Sequence, residues 1–566
     1  MSRKFLIIGG VAGGASTAAR LRRLSEEDQI IMFERGPHVS FSNCCLPYHL
    51  SGVVEEAENL VLMSPEKFLA QYNIEARVNN EVIAIDKDKK EVTVKNVLTG
   101  EEYKESYDKL MLSPGAKPIV PNIKGIETVN VFAVRNVVDI DKLNNFVKAM
   151  ETKNVSVIGG GFIGIEVAEN LKEAGYNVTL IEAMPQVMKI FDYDMVQILH
   201  KELYDQGVNL IVGDKVSSFE KDTVVLESGK KVEAGAVVMA IGVTPETELA
   251  VKAGLELGVT GAIKVDQNYR TSNPDIYAVG DAIEVYNALT GKMMKLPLAG
   301  PAQKQAREAA DHMHGMLVKN TGYIGSSVIK CFDYNGASTG LTEGMIKALN
   351  LDINYEVVKV IPGDKVGLMP GCEPLHFKLL FEIPTGKILG AQAIGRGNVD
   401  KRVDIIATAI KFNAKIDDLR DLELCYAPPF GTAKDVVNFA GYVGSNLLRG
   451  AFKQVSESDV RDLVQSGAFI VDVREKNEYE LSHIKGALNI PLSELRERVN
   501  EIPKDKPVYL HCRSAQRSYN AVMALQHLGF TNVYNVSGGF MGISFYEYFN
   551  DQTTGREKIV TDYNFL

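Results

Sequence analysis

The chain opens with a short apolar run, "KFLII" from Lys4 to Ile8, which stops at two glycines. Beyond them, small and apolar residues recur at helical spacing through "ASTAARLRRL". A five-residue apolar run reads as a buried strand, and the second pattern reads as a helix with one apolar side. The same order returns from Asn154: the strand "NVSVI", the glycine turn "GGGFIG", then the helical "IEVAENLKEAG". From about Tyr323 the pattern changes to α+β, with "SVIKCFDYNGASTGL" and "HFKLLFEIPTGKILGAQAIG" ahead of the helical "DKRVDIIATAIKFNAKIDDLRDL". The last section centres on "VYLHCRSAQRSYNAVMAL": a strand ending at Cys512, a six-residue loop to Arg517, and an amphipathic helix.

Strand, glycine turn and helix form the first half of a dinucleotide-binding βαβ unit, here present twice. Glycines make the turn tight and let the backbone approach a pyrophosphate, while the helix N-terminus offers amides and its positive dipole end. The second copy carries the full spacing at Gly159, Gly161 and Gly164, and its next strand ends at Glu182. An acid there accepts from both ribose hydroxyls and repels a 2′-phosphate; no Arg follows it, so NADH is expected rather than NADPH. The first copy reads Gly9, Gly10, Val11, Ala12, Gly13, Gly14, with Val11 in place of the middle glycine and Glu34 as its acid. Two such folds point to FAD and NADH together. The strand "IYAVG" ending at Gly280 and Asp281 supports the flavin.

At 566 residues the chain is too long for one core. Its net charge of −10 argues against a nucleic-acid surface. No stretch reaches the roughly 18 uncharged apolar residues of a membrane helix. The six cysteines show no disulfide framework and no zinc spacing, which fits a reducing, cytoplasmic setting and no metal. Two of them, Cys44 and Cys45, stand side by side in "VSFSNCCLPYHL". At Cys512, successive backbone amides and the helix dipole make an anion nest fit to hold a persulfide, with Arg513 or Arg517 balancing charge. A phosphatase or arsenate reductase loop has similar topology.

The stretch Ser40, Phe41, Asn43, Cys44, Leu46, Pro47, Tyr48 resembles the single-cysteine branch of the flavoprotein disulfide reductases, and "IVDVRE", "GALNIP" and the Cys512 loop resemble a rhodanese domain. End to end, the chain resembles a coenzyme A disulfide reductase–rhodanese fusion of the NADH-dependent persulfide or polysulfide reductase type. That resemblance implies an α/β protein with two Rossmann-like dinucleotide-binding domains, an α+β dimerisation domain and a C-terminal α/β rhodanese domain. The implied divisions are residues 1–112 with 242–322 for FAD, 113–241 for NADH, 323–446 for dimerisation, 447–456 as linker, 457–550 as rhodanese and 551–566 as tail.

It further implies Cys44 as the redox cysteine, with a lowered thiol pKa at a helix start, and Cys512 as the sulfur carrier. Asn43, Arg517 and Tyr426 would assist, Tyr426 reaching the cysteine site of the partner in a homodimer. FAD would rest on Gly9, Gly10, Ala12, Gly13, Gly14, Glu34, Ser42, Asn43, Asp281 and Ala299. Coenzyme A, as substrate or bound thiol, would meet Arg20, Arg22, Ser40 and Lys304. The chain departs from the family at Cys45, where glycine is usual, at Ala515, and at Leu368 and Met369, where tyrosines are usual. Cys45 reads either as a small passenger, or as a resolving thiol or one half of a strained vicinal disulfide with Cys44. An NADH oxidase or peroxidase holding Cys44 as sulfenate, and a sulfur carrier or persulfide sensor, are the alternative functions.

Overall fold

The computed structural model describes residues 2–565. The chain divides into two compact units: Met1–Pro185 with Ile211–Tyr323, and Gln186–Leu210 with Ile324–Leu566.

In the first unit, Lys4–Ile8 is the middle of a parallel five-stranded sheet, flanked by Lys109–Leu112 and Gln29–Glu34, with Ile276–Ala278 and Glu75–Val78 outermost. Phe5, Leu6 and Ile7 are almost wholly buried, as strands covered on both faces require. The second copy builds its own parallel sheet, in which Asn154–Ile158 lies between Asn177–Glu182 and Ala236–Met239. The connecting stretches Ala116–Pro118 and Val243–Pro245 pair antiparallel. Both glycine turns therefore sit at the C-terminal ends of their strands, where open α/β sheets place ligands.

The second unit holds an antiparallel sheet in the order Ser326–Cys331, Tyr334–Gly340, Ile388–Gly395, Leu375–Glu382, Tyr355–Val360. It also holds a parallel sheet in the order Lys453–Val455, Val533–Val536, Val508–His511, Phe469–Asp472, Leu488–Asn489. Three expected boundaries differ here. Residues 453–455, expected within a linker, are an edge strand, because their backbone pairs with Val533–Val536. The last helix runs Gly539–Thr554, past the expected end at 550. The expected tail is tied back by Lys485 N–H to Ile559 O at 2.9 Å and Thr561 N–H to His483 O at 2.9 Å.

A fourth difference is larger. The helix Tyr193–Asp205 falls inside the expected NADH span but belongs to the second unit. Its Asp194 carboxylate receives Lys378 Nζ at 2.8 Å and Lys359 Nζ at 3.0 Å, from two strands of the antiparallel sheet. Lys359 also pairs with Glu457, just past the edge strand Lys453–Val455 of the parallel sheet, and Lys378 reaches Asp192 at 3.1 Å and Glu343 at 2.7 Å. Burial works against the Lys378 charge, but Asp194, Asp192 and Glu343 outweigh it and raise its pKa. Edge-to-face rings continue the junction, Tyr193 on Tyr546 and His200 on Phe549. The two sheets of this unit thus share a buried ionic and aromatic seam.

Candidate active site

The first glycine turn opens on a cleft of about 730 Å³, within the range of small-molecule and cofactor sites. Gly9, Gly10, Ala12, Gly13, Glu34, Asn43 and Asp281 line it. Gly14 lies beneath: a Cβ there would stand 1.8 Å from Gly9 O, so only glycine lets the helix start so close to the strand. Gly9 itself adopts φ +95°, and a side chain there would meet Ser113 O at 2.1 Å. Glu34 Oε2 accepts from Gly10 N–H at 3.0 Å and Oε1 from Gly36 N–H at 3.0 Å, which fixes its carboxylate at the rim.

The second turn repeats this detail. Glu182 Oε2 accepts from Gly160 N–H at 2.7 Å and Oε1 from Met184 N–H at 2.8 Å. A Cβ on Gly164 would stand 1.8 Å from Gly159 O, while one on Gly161 would meet nothing within 4 Å. Gly164 is thus needed for packing, whereas the open space at Gly161 is where a phosphate can approach the backbone. Each cradle fits a dinucleotide: a tight turn, exposed amides, and a fixed acid at ribose distance along the chain. Where FAD and NADH bind, these residues would hold them.

The cleft carries groups that the sequence reading missed. Arg35 and Arg135 both pair with Glu246, Arg35 at 2.6 Å, and Arg135 also donates to Pro114 O at 3.4 Å. Asp281 is held above the usual carboxylate range by burial, against the pull of Arg135. Ser42 and Ala299 do not line the cleft; Ala299 begins the helix Ala299–Met313, whose next turn brings Ala302 into the wall.

Cys44 sits beside this cleft in a single turn of 3-10 helix, Asn43–Cys45. Both Cys44 and Cys45 are exposed free thiols. The expected lowering of the Cys44 pKa is not found. Protein atoms crowd the sulfur on its inner side, and that desolvation raises the pKa, followed by the negative charges of Glu166, Cys45 and Asp281. A three-residue turn has too little dipole to oppose them. Glu166, two residues past Gly164, is itself pushed up to about 7 by burial and by Glu169. Its helix is tied to the cysteine turn by Ser51 Oγ–H to Asn170 Oδ1 at 2.6 Å.

The four residues expected to meet coenzyme A are not equivalent. Arg22 is 4% exposed, and its guanidinium donates to the carbonyls of Tyr72, Ser25, Asp28 and Asn73. It is a structural cross-brace, with four of its five N–H donors held by backbone carbonyls and Nη1 also 3.9 Å from Glu26, which corrects the expectation of a phosphate contact. Arg20 Nε pairs with Asp311 at 2.5 Å. Ser40 takes φ +51° and holds the glycine turn through its N–H to Gly10 O at 2.7 Å. Lys304 is exposed, 3.9 Å from Glu308.

In the second unit, Cys512 is 1% exposed at the end of Val508–His511. Phe540 N–H to Cys512 O at 2.7 Å and Met541 N–H to Arg513 O at 3.0 Å clamp the loop from below. Gly539 is required there, since a Cβ would stand 2.7 Å from both Cys512 O and Arg513 O. Ala515, where the family has glycine, nonetheless takes φ +71°. That left-handed conformation costs an alanine roughly 1 kcal/mol and keeps the loop curled. Among the described residues, the amides of Ser514, Ala515, Gln516 and Arg517 donate to no backbone carbonyl, which leaves them for an anion. Arg517 forks onto Glu478 at 2.6 and 2.7 Å, and its pKa is raised first by Glu478 and more weakly by Cys512. Ser518 Oγ is 3.6 Å from Cys512 Sγ. Glu478 and Ser518 escaped the sequence reading; neither stands at a spacing that marks it.

Tyr426 is exposed, as are Leu368 and Phe430. Val366 N–H reaches Pro428 O at 3.4 Å, so the loop that has lost its tyrosines lies against the Tyr426 loop.

Comparison with known proteins agrees with this arrangement. Residues 3–306 match the pyridine nucleotide-disulphide oxidoreductase family, residues 326–436 its dimerisation domain, and residues 456–544 a rhodanese-like domain. The rhodanese-like match spans the Cys512 loop. A coenzyme A disulfide reductase from Staphylococcus aureus is 34% identical over 440 residues, 78% of this chain and 99% of that protein. The structure of reduced CoADR-RHD from Bacillus anthracis is 47% identical, with a TM-score of 0.93 over 96% of this chain and 98% of that one. The NAD-dependent persulfide reductase of A. fulgidus is 34% identical, with a TM-score of 0.89 over 95% of this chain and 99% of that one. The chain belongs to the pyridine nucleotide-disulphide oxidoreductase family, an oxidoreductase extended at its C-terminus by a rhodanese-like domain.

Proposed function

We propose that the protein is a cytoplasmic, homodimeric, NADH-driven reductase of coenzyme A persulfide, polysulfide or coenzyme A disulfide. The observation that carries this reading is the presence of two cysteines in one chain, each with its own built surroundings: Cys44 beside the glycine-turn cleft and Cys512 in an amide-lined loop. Bound FAD supplies the two-electron path from NADH to sulfur.

Cys512, as thiolate, attacks polysulfide and keeps one sulfur as Cys512–S–S⁻, releasing a polysulfide shorter by one atom. The loop amides and Arg517 hold that anion. A small thiolate then attacks the outer sulfur, leaves as a persulfide, and restores the Cys512 thiolate. This persulfide takes up a proton from solvent and the Cys44 thiolate attacks its inner sulfur; the S–S bond breaks, hydrosulfide leaves, and a Cys44 mixed disulfide forms. Two electrons from NADH and one proton return Cys44 thiolate and free thiol. With a coenzyme A disulfide, a thiolate leaves in place of hydrosulfide.

Tyr426, Leu368 and Phe430 give the dimerisation domain an exposed apolar rim suited to a second copy. The loss of tyrosines at Leu368 and Met369 leaves Tyr426 as the hydroxyl available to the partner's cysteine site. In a Cys512→Ser variant, polysulfide turnover falls sharply while flavin reduction by NADH is retained; undiminished polysulfide turnover would exclude the relay.

A further inference from the structure

Tyr269 is a buried, bulky residue at φ +65°, a conformation that an aromatic side chain avoids unless its surroundings hold it there. Its backbone carbonyl accepts from Ala278 N–H at 3.0 Å, in the strand that runs into Gly280 and Asp281. Its hydroxyl lies 2.6 Å from Glu308 Oε2 and 2.7 Å from the Tyr323 hydroxyl. Tyr323 in turn receives a hydrogen bond from Gln305, whose Oε1 accepts from Gly280 N–H at 2.7 Å.

The donors have one consistent order. Gly280 N–H donates to Gln305, the Gln305 amide to Tyr323, Tyr323 to Tyr269, and Tyr269 to the Glu308 carboxylate. An amide that accepts on its oxygen donates from its nitrogen, and a carboxylate only accepts, so both ends fix the direction. Chains ordered in this way polarise each bond in turn. The groups facing the two hydroxyls are Glu308 and Lys304, the latter 5.2 Å above the Tyr323 ring. Burial raises both phenols, Tyr323 to about 12, so both stay protonated at neutral pH and the order is kept. Gln305 is 1% exposed and Gly280 and Asp281 line the cleft, so the chain ends at the cofactor wall.

We infer that Gln305, Tyr323 and Tyr269 are positioning residues that brace the Gly280–Asp281 turn against the helix Ala299–Met313 and so set the affinity and electronic surroundings of the flavin. This rests on reading the cleft as the FAD site. The test uses the full-length holoenzyme and its Gln305→Leu, Gln305→Glu and Tyr323→Phe variants. FAD dissociation, the flavin visible spectrum, its midpoint potential and the thermal stability of the apoprotein are measured. The expected result is at least a tenfold weaker FAD affinity with a shifted spectrum and potential in Gln305→Leu, a smaller change in Tyr323→Phe, and only partial recovery in Gln305→Glu, which keeps an acceptor for Gly280 N–H but has no donor for Tyr323. Unchanged FAD affinity, spectrum and potential in Gln305→Leu and Tyr323→Phe would overturn the brace. Equal loss of apoprotein stability in all three, with no spectral change in the retained flavin, would reduce it to ordinary packing and also overturn it. Wild-type protein that takes up no FAD would instead overturn the reading of the cleft.

Discussion

The two cysteine sites differ in nearly every physical respect. Cys44 is exposed, sits on a single turn of 3-10 helix, and has its pKa raised first by desolvation on its inner side and then by nearby negative charge. Cys512 is buried in a curled loop whose Ser514 to Arg517 amides, among the described residues, donate to no backbone carbonyl, with Arg517 held beside it by Glu478. The difference matches the role proposed for each sulfur. A thiol that exchanges with large disulfides needs access, and its reactivity is set when cofactor and substrate are in place. A sulfur that stores a persulfide needs a pre-formed anion site, because the charge stays on the protein between encounters. Burial near the cleft therefore favours the neutral thiol, whereas the rhodanese loop is shaped around a charge.

The sharpest way to break this contrast is Cys44→Ser. NADH-driven reduction of every disulfide or persulfide should fall by about a thousandfold or more, as expected when a nucleophile is removed. Flavin reduction by NADH should persist in stopped-flow spectra. Retention of substantial turnover would move the redox role elsewhere.

The surroundings of the second site can be tested through the buried seam. Lys378→Met leaves Asp194, Asp192 and Glu343 without their shared cation, 2% exposed in the native fold. Stripping one partner from such a cluster costs about 3–5 kcal/mol. Thermal unfolding followed by circular dichroism should show the second unit melting early, with FAD retention little changed. A neutral effect would mean that the cluster is solvated.

Arg517→Leu removes the charge beside Cys512 and strands Glu478. Sulfur transfer to a small thiol should fall by about a hundredfold, the usual cost of losing one pre-organised donor to an anion. Coenzyme A disulfide reduction should be unaffected. A matching loss in both reactions would erase the distinction between the sites.

The smallest effect concerns Glu166→Gln. The Glu166 charge raises the Cys44 pKa, so its removal lowers it. A raised thiol pKa makes the rate climb as pH increases and thiolate forms. In the variant that climb should begin at lower pH in a single-turnover pH profile; a climb moved to higher pH would show that Glu166 acts on the sulfur in another way.

The parts legible in the sequence are those where neighbours along the chain do the work. Gly159, Gly161 and Gly164 define their turn by local sterics, and Cys512 through Arg517 announces its loop by spacing alone. Arg22 misled because its helix looks like a solvated basic face, while the carbonyls that consume it come from Asp28, Tyr72 and Asn73. The short helix after Ser42 suggested a lowered thiol pKa, but the burial that raises it, and the Glu166 and Asp281 charges that add to it, come from segments distant along the chain. Asp194, Lys359, Lys378 and Glu457 are ordinary surface residues until the fold joins them, and the strained Tyr269 carries no sequence mark at all.

The measurement closest to the central claim is anaerobic sulfide release, driven by NADH from polysulfide plus coenzyme A, in wild type, Cys44→Ser and Cys512→Ser. Division of labour requires that both variants lose release from polysulfide, while Cys512→Ser still releases sulfide from pre-formed coenzyme A persulfide and Cys44→Ser does not. Equal loss of both reactions in Cys512→Ser, or persistence of both in Cys44→Ser, would contradict two separate sulfur sites working in sequence.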